Sequence, residues 1–222
     1  MQSHSQKVYS NKEIREIIKK MYTSTKWEKF YFNVKWRKGS AIEFFESLVP
    51  NEGLIIDIGC GTGILANFLT LKSNRRKIIG TDLDERRIES AKKTIMGKNI
   101  EFCVKDIGDL KINDCDAITI YDVIHHINPE MQLSLLKQCY SKLKKGGVLL
   151  IKDVDKKPIL KYAFVRTLDQ LTNVMHTTLG KLNFVKSKKM TEILKSIGFE
   201  VEVIKPPIKD FCPHIIYSCK KN

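Results

Sequence analysis

Residues 54–66 read LIIDIGCGTGILA, and the reading of this stretch decides the fold. The run LIIDI is apolar at every position except Asp57, the pattern of a strand buried from both sides. Gly59, Gly61 and Gly63 follow in alternation, and then an apolar run with helical character. A strand-to-helix turn by itself does not require three glycines. They keep side chains away so that the backbone can approach a flat, polar ligand. Asp57, two residues before the first glycine, restricts which ligand that is.

Outward from this turn the chain alternates strand and helix. KIIGT (77–81), IEFCV (100–104), DAITIY (116–121) and VLLIK (148–152) read as strands, with ILANFLTLK (64–72) as the first helix between them. A second helix starts near Asp84 and turns Ile88, Ala91 and Ile95 inward. A third is capped by Asn128-Pro129, carries Leu133, Leu136, Tyr140 and Leu143 on one stripe, and ends at Gly146-Gly147. Met190, Ile193, Leu194 and Ile197 mark a helix that stops at Gly198. Short strands near 199–204 and 214–219, separated by Pro206-Pro207, read as an antiparallel edge. This rhythm predicts a doubly wound α/β domain with a mostly parallel sheet covered on both faces.

Upstream, residues 11–22 space Ile14, Ile17, Ile18 and Met21 as one helical face, with Asn11 as the N-cap. Residues 26–38 repeat that spacing with Trp27, Phe30, Tyr31 and Val34, and add Phe32, Trp36 and five basic residues. Ser40 with Glu43 forms a capping box for a helix that stops before Pro50. The organisation predicted is an N-terminal helical cap (1–40) and a main domain (41–222), with a helical insertion at 155–186 after the fifth strand.

Composition sets the outer limits. The 222 residues are 42% hydrophobic and 29% charged, enough apolar content for one packed domain. No apolar run approaches the roughly 20 residues of a membrane span, and MQSHSQKVYSNKEIREII lacks the apolar core of a secretion signal. Six cysteines without a CxxC pair point away from a zinc site and a disulfide framework. These features predict a cytoplasmic protein with no bound metal. The formal charge of +14 would attract nucleic acid, an anionic membrane surface or phosphorylated substrates; lysines that merely coat solvent-facing helices would give the same number.

The ligand of the glycine turn follows from charge. Gly61-Thr62-Gly63-Ile64-Leu65-Ala66 matches the G-x-G-x-x-G/A pattern of dinucleotide sites, a weak signal alone. A pyrophosphate beside Asp57 would meet like-charge repulsion, whereas a cation would be attracted. S-adenosylmethionine carries an ammonium and a sulfonium and no phosphate.

DIGCGTG (57–63) closely resembles motif I of the class I S-adenosylmethionine-dependent methyltransferases, and the resemblance extends over roughly residues 40 to 222. It implies the seven-stranded, Rossmann-like methyltransferase sheet, with S-adenosylmethionine as cofactor and S-adenosylhomocysteine as product. It also implies cofactor contacts at Asp57, Gly59, Cys60, Gly61 and Gly63. Asp82, ending the second strand in KIIGTDLD, would bind both ribose hydroxyls, with Leu83 beside it; Asp84 competes for this role but suits an N-cap. In FCVKDIGDL, Asp106 would take the adenine amino group while Ile107 packs on the ring. In DAITIYDVIHHI, Tyr121 and Asp122 stand at the family's motif IV, beside the methyl and the acceptor. GGVLLIKD, with two glycines before the fifth strand, completes the pattern.

The chemistry expected is an in-line displacement at the sulfonium methyl, aided by removal of an acceptor proton where needed. Asp122, His125 and His126 are the candidate catalytic groups. A histidine with an ordinary pKa near ~6.5 suits a general base, although one of the pair could instead pack under the cofactor and orient its loop. The Pro-Pro-aromatic motif of base-amino methyltransferases is missing after the fourth strand. Asp122 and Lys152 fall where the ribose 2′-hydroxyl type has its Asp and second Lys, but HIIYSC supplies no Glu. These features favour a small-molecule or lipid-like acceptor, with peripheral contact at an anionic membrane compatible with the charge. An RNA 2′-hydroxyl methyltransferase and a catalytically silent binding protein are the alternatives. Residues 26–38 would act as a lid over cofactor and acceptor.

Overall fold

The computed structural model describes residues 9–22, 41–154, 183–207 and 213–222. Two helices, α1 (Asn11–Tyr22) and α2 (Ala41–Ser47), precede the alternating region. That region runs β1 (Gly53–Ile58), α3 (Ile64–Lys72), β2 (Arg76–Asp82), α4 (Glu85–Lys92), β3 (Ile100–Val104) and β4 (Cys115–Tyr121). It continues through α5 (Pro129–Lys142), β5 (Leu143–Val154), α6 (Ser187–Ile197), β6 (Phe199–Ile204) and β7 (His214–Lys221).

The strands form a seven-stranded sheet in the order β3-β2-β1-β4-β5-β7-β6. The pairs β1–β2, β1–β4, β2–β3 and β4–β5 are parallel, and β7 runs antiparallel to both β5 and β6. The expected antiparallel edge is therefore rearranged. β7 slots between β5 and β6, β6 is the edge, and β7 alone opposes the other strands. The order reverses on either side of β1, between β2 and β4, so the glycine turn lies at the switch point where such sheets bind ligands.

Period-two alternation explains the two-sided core. Ile55, Ile78, Ala117, Leu150 and Ile216 face one layer with Ile14, Ile18, Phe45, Phe68 and Ile88. Ile56, Ile118, Leu149, Ile151 and Ile215 face the other with Leu136, Cys139, Met190 and Leu194. Each fully buried Ile or Leu contributes about 1.5–3 kcal/mol relative to exposure, so neither face could be left bare.

Several local expectations need correction. Ser10, not Asn11, caps α1: its hydroxyl accepts from Glu13 N at 3.3 Å while Glu13 Oε2 accepts from Ser10 N at 2.9 Å. Asn11 instead receives Lys72 Nζ on α3 at 2.9 Å. Ile95 lies beyond α4 and is 44% exposed. The buried stripe of α5 is Gln132, Leu135, Leu136 and Cys139. Leu133 faces solvent, and Leu143 already belongs to β5 rather than to the helix. A register shift between Cys115 and Ala117 absorbs Gly146 and Gly147 within β5. Ser40, most of 155–186 and the whole of 26–38 lie outside the described residues.

α1 is part of the core layer. Ile14 and Ile18 are fully buried, and Arg15 pairs with Glu43 of α2 at 2.5 Å. At the amino end of the sheet, buried Arg76 ties three elements together. It donates to Glu46 at 2.8 Å and to the carbonyls of Val49, Pro50 and Leu69 at 3.0, 2.7 and 3.1 Å.

Candidate active site

The glycines of the turn have separate duties. All three have positive φ. A Cβ on Gly59 would lie 2.6 Å from Val123, and one on Gly63 would lie 2.5 Å from the Phe102 ring. Close packing against neighbouring side chains therefore excludes a side chain at both positions. At Gly61 no described residue stands within 4 Å of that direction. Among the described residues the turn is therefore open on the Gly61 side.

The turn is held by its neighbours. Cys60 N donates to Thr81 O at 2.9 Å, and Gly61 N donates to Asp82 Oδ2 at 2.9 Å. Asp82 Oδ1 accepts from Asp84 N at 2.9 Å, so the carboxylate ending β2 braces the turn at the position foreseen for ribose binding. Asp84 caps α4 by accepting from Arg86 N at 3.0 Å. The Arg86 guanidinium, with that backbone bond as the lesser contribution, holds its carboxyl below the usual range. Leu83 beside them is 69% exposed. The Cys60 thiol is pushed far up by burial, with the Asp57 and Asp82 charges adding to the effect, so it is an inert lining group.

Asp57 is the unusual residue. It is 1% exposed, its Oδ1 accepts from Thr119 Oγ1 at 2.8 Å, and its Oδ2 has no hydrogen-bond partner among the described residues. Burial pushes its carboxyl up to about 7; the Thr119 bond opposes this and the Asp82 charge adds to it. A buried carboxylate oxygen without a donor is costly unless a ligand supplies one. An ammonium group fits that requirement, so these residues suit the cation-bearing cofactor read from the sequence.

Beyond β3, Asp106 accepts from Gly108 N at 2.8 Å and caps the short turn Ile107–Asp109. Asp106 is exposed, but Ile107 is 1% exposed and sits in the core cluster, so it offers an adenine ring almost no surface. The exposed apolar groups on this side are Leu83 and Val104.

At the end of β4, Tyr121 packs edge-on against Phe45 with centroids 5.2 Å apart. Asp122 adopts φ 56°, an uncommon conformation for a residue with a side chain. Its two carboxylate oxygens lie 2.6 and 2.7 Å from Lys152 Nζ. The lysine is 3% exposed and also lies 4.9 Å from the Tyr121 ring centroid. His125 is buried and His126 exposed, with ring centroids 4.2 Å apart. His125 Nδ1 lies 2.6 Å from Asp153 Oδ1, and the imidazole stacks on Phe184 at 4.5 Å. With a carboxylate as acceptor, Nδ1 carries the proton. Gln132 Nε2 donates to the carbonyls of Ile124, Ile127 and Asn183, pinning the histidine turn from beneath.

Thus the structure gathers Asp57, Gly61, Asp82, Tyr121, Asp122, His125 and His126 at the carboxyl ends of β1, β2 and β4. Sequence reasoning missed Thr119, Asp153 and Tyr22. Thr119 pairs in register with Asp57. Asp153 carried the same signal as Asp57, a carboxylate at the end of an apolar strand. Among the described residues no group of three or more His, Cys, Asp or Glu is placed to hold a metal ion, and no helix is long and apolar enough to cross a membrane.

Comparison with known proteins agrees with this geometry. Residues 55–147 match a family described as a methyltransferase domain. Carboxy-S-adenosyl-L-methionine synthase of Campylobacter curvus is 29% identical over 115 residues, covering 50% of this chain and 48% of that protein. The tRNA N(3)-methylcytidine methyltransferase trm140 of Schizosaccharomyces pombe is 28% identical over 138 residues, covering 56% and 45%. The chain spans about half the length of these two relatives. It spans 80% of demethylmenaquinone methyltransferase of Thermotoga maritima, which is 25% identical over 189 residues and 78% of this chain. Among solved structures, magnesium protoporphyrin IX methyltransferase from Synechocystis PCC 6803 with bound SAH shares the fold, with a TM-score of 0.66. It is 16% identical, and the likeness covers 93% of this chain and 94% of that one. The match begins in β1 and runs through the glycine turn, so residues 55–147 are a methyltransferase domain, on a sheet whose fold is shared with a methyltransferase solved with bound SAH. The chain is similar to the class I S-adenosylmethionine-dependent methyltransferases.

Proposed function

We propose that the chain binds S-adenosylmethionine on the glycine turn and transfers its methyl group to a small-molecule or lipid-like acceptor, releasing S-adenosylhomocysteine. One observation carries the cofactor assignment: Asp57 presents a buried carboxylate oxygen, unpartnered among the described residues, below a turn whose Gly61 face is open among them. When bound, the cofactor supplies a methyl on a positively charged sulfur that an acceptor lone pair takes by in-line displacement.

The residues divide the remaining work. Asp57 receives the cationic part of the ligand, Asp82 the ribose hydroxyls and Asp106 the adenine amino group, while Leu83 gives the ring an apolar wall. Lys152 grips both oxygens of Asp122 and fixes the carboxylate at the end of β4. Asp122 so held orients an acceptor through hydrogen bonding. His125 holds the loop through Asp153. The exposed His126, its ring tilted beside that of His125 with centroids 4.2 Å apart, takes the acceptor proton where one must leave.

The acceptor class is supported by the named activities of two similar proteins, on demethylmenaquinone and on magnesium protoporphyrin IX. The tRNA methyltransferase relative supports RNA as the second reading. Calorimetry with S-adenosylhomocysteine tests the cofactor step; tight NAD binding with no S-adenosylhomocysteine binding would overturn it. Transfer of labelled methyl to quinol or porphyrin acceptors, run beside total RNA, tests the acceptor, and incorporation confined to RNA would reverse the order of the two readings.

A further inference from the structure

α1 reaches the cofactor turn through one hydroxyl. Tyr22 is the last residue of that helix, and its OH donates to Thr62 O at 2.9 Å. Thr62 stands between Gly61 and Gly63, so the turn is held at two neighbouring residues. Asp82 receives Gly61 N from the β2 side, and Tyr22 holds the Thr62 carbonyl from the α1 side.

The hydroxyl belongs to a small, partly buried network whose protons can be counted. Asn67 is fully buried; its Nδ2 donates to Tyr22 OH at 2.9 Å and to Thr94 Oγ1 at 3.1 Å, and its Oδ1 accepts from Met96 N at 3.2 Å. Both amide hydrogens are thereby used. Thr94 Oγ1 lies 2.7 Å from Ala91 O, which can only accept, so that contact uses the threonine proton. The remaining contact, Tyr22 OH to Thr94 Oγ1 at 2.7 Å, then needs the tyrosine proton, and so does the bond to Thr62. One proton serves two acceptors. Burial raises the Tyr22 pKa, so the proton stays on the ring oxygen at ordinary pH.

We propose that Tyr22 is a positioning residue for cofactor binding: its single proton, shared between the Thr62 carbonyl and Thr94, sets the backbone of the glycine turn from the N-terminal helix. The inference rests on the cofactor reading above. It makes α1 part of the binding site without touching the ligand, acting through Thr62.

The test is S-adenosylhomocysteine affinity by calorimetry on the full chain, with thermal denaturation of the ligand-free protein in parallel. Tyr22→Phe keeps the ring and removes the hydroxyl; it is expected to weaken binding about three- to tenfold, the effect of one lost hydrogen bond. Replacement of Tyr22 by 4-aminophenylalanine, which retains a donor, should restore affinity, and it covers the case in which Tyr22→Phe fails to fold. Thr94→Val removes the competing acceptor and commits the proton to Thr62, so it should bind at least as tightly as wild type. Ser73→Ala removes a buried hydroxyl bonded to Asn51 O at the far end of the sheet; it should lower the melting temperature and leave affinity unchanged. A wild type that binds while Tyr22→Phe binds equally well overturns the inference alone. If all three hydroxyl deletions weaken binding in proportion to lost stability, the hydroxyl is merely structural and the inference is again overturned. A wild type that binds no S-adenosylhomocysteine overturns the cofactor reading and this inference together.

Discussion

Asp57 sets burial against charge, and the balance predicts how binding responds to pH. In the free protein its carboxyl is pushed up to about 7 by burial, well above the unfolded value near ~3.9. Between those two values the native state holds a proton that the unfolded state has lost. The contribution of this group to stability therefore falls as pH rises from about 4 to about 7, and then levels off. A cationic ligand favours the ionised form, so below pH 7 its binding expels the proton. S-adenosylhomocysteine affinity should rise roughly eightfold between about pH 6 and pH 7.5 and flatten above, as measured by calorimetry in buffers of different ionisation enthalpy. Asp57→Asn should remove that dependence and weaken binding. At pH 8 it should also leave the free protein at least as heat-stable as wild type, because no buried charge remains at that position.

Asp82 makes a separate residue-scale case. Asp82→Ala removes the acceptor of Gly61 N and Asp84 N and, with them, the two charge-assisted bonds to ribose proposed above, each worth about 1.5–3 kcal/mol. Calorimetry should show S-adenosylhomocysteine affinity lowered at least about tenfold, and an unchanged affinity would remove Asp82 from the site. These two carboxylates were legible in the sequence because each ends an apolar strand next to a turn. Thr119 and Tyr22 were not, since they reach the site across 62 and 40 residues of chain. Strand register and helix docking, which no local pattern encodes, bring them there.

At the scale of elements, the two ends of the sheet carry different duties. The carboxyl end is left with an Asp57 oxygen unpartnered among the described residues and a positive-φ Asp122, while at the amino end Arg76 and Glu46 are fully engaged. Arg76→Met should strand the buried Glu46 carboxylate and three backbone carbonyls, at a cost of about 3–5 kcal/mol. For a chain of this length that lowers the melting temperature by roughly 10 °C, and calorimetry on the folded fraction should find cofactor affinity unaltered. Element types were legible because 3.6- and two-residue periodicities are local. Their facing was less so. The spacing puts Leu133 on the α5 stripe, but Leu133 faces solvent and the buried positions include Gln132, whose amide satisfies three carbonyls. A hydrophobic pattern cannot find a buried polar residue of that kind. The placement of β7 between β5 and β6 was hidden for a similar reason, because hairpin-like spacing gives the pairing and not the position in the sheet.

For the whole molecule, the +14 charge bears on the choice of acceptor. Thirty-nine basic residues against twenty-five acidic ones guarantee some attraction to any polyanion at low salt, so binding to RNA or to anionic vesicles is by itself uninformative. Discrimination comes from salt dependence and from product. A protein that docks on RNA as its acceptor should show a steep fall of affinity with salt that levels at a specific, salt-resistant complex, together with methyl incorporation into that RNA. A protein whose lysines only coat its surface should bind RNA and anionic vesicles alike at low ionic strength and lose both as the Debye length shrinks to about 8 Å near physiological salt. The expected outcome is the second. Labelled methyl should appear in a quinol or porphyrin acceptor at physiological ionic strength, under conditions where neither polyanion is retained. Incorporation into RNA that persists at that salt would assign the charge, and with it the Asp122–Lys152 pair, to a nucleic-acid acceptor.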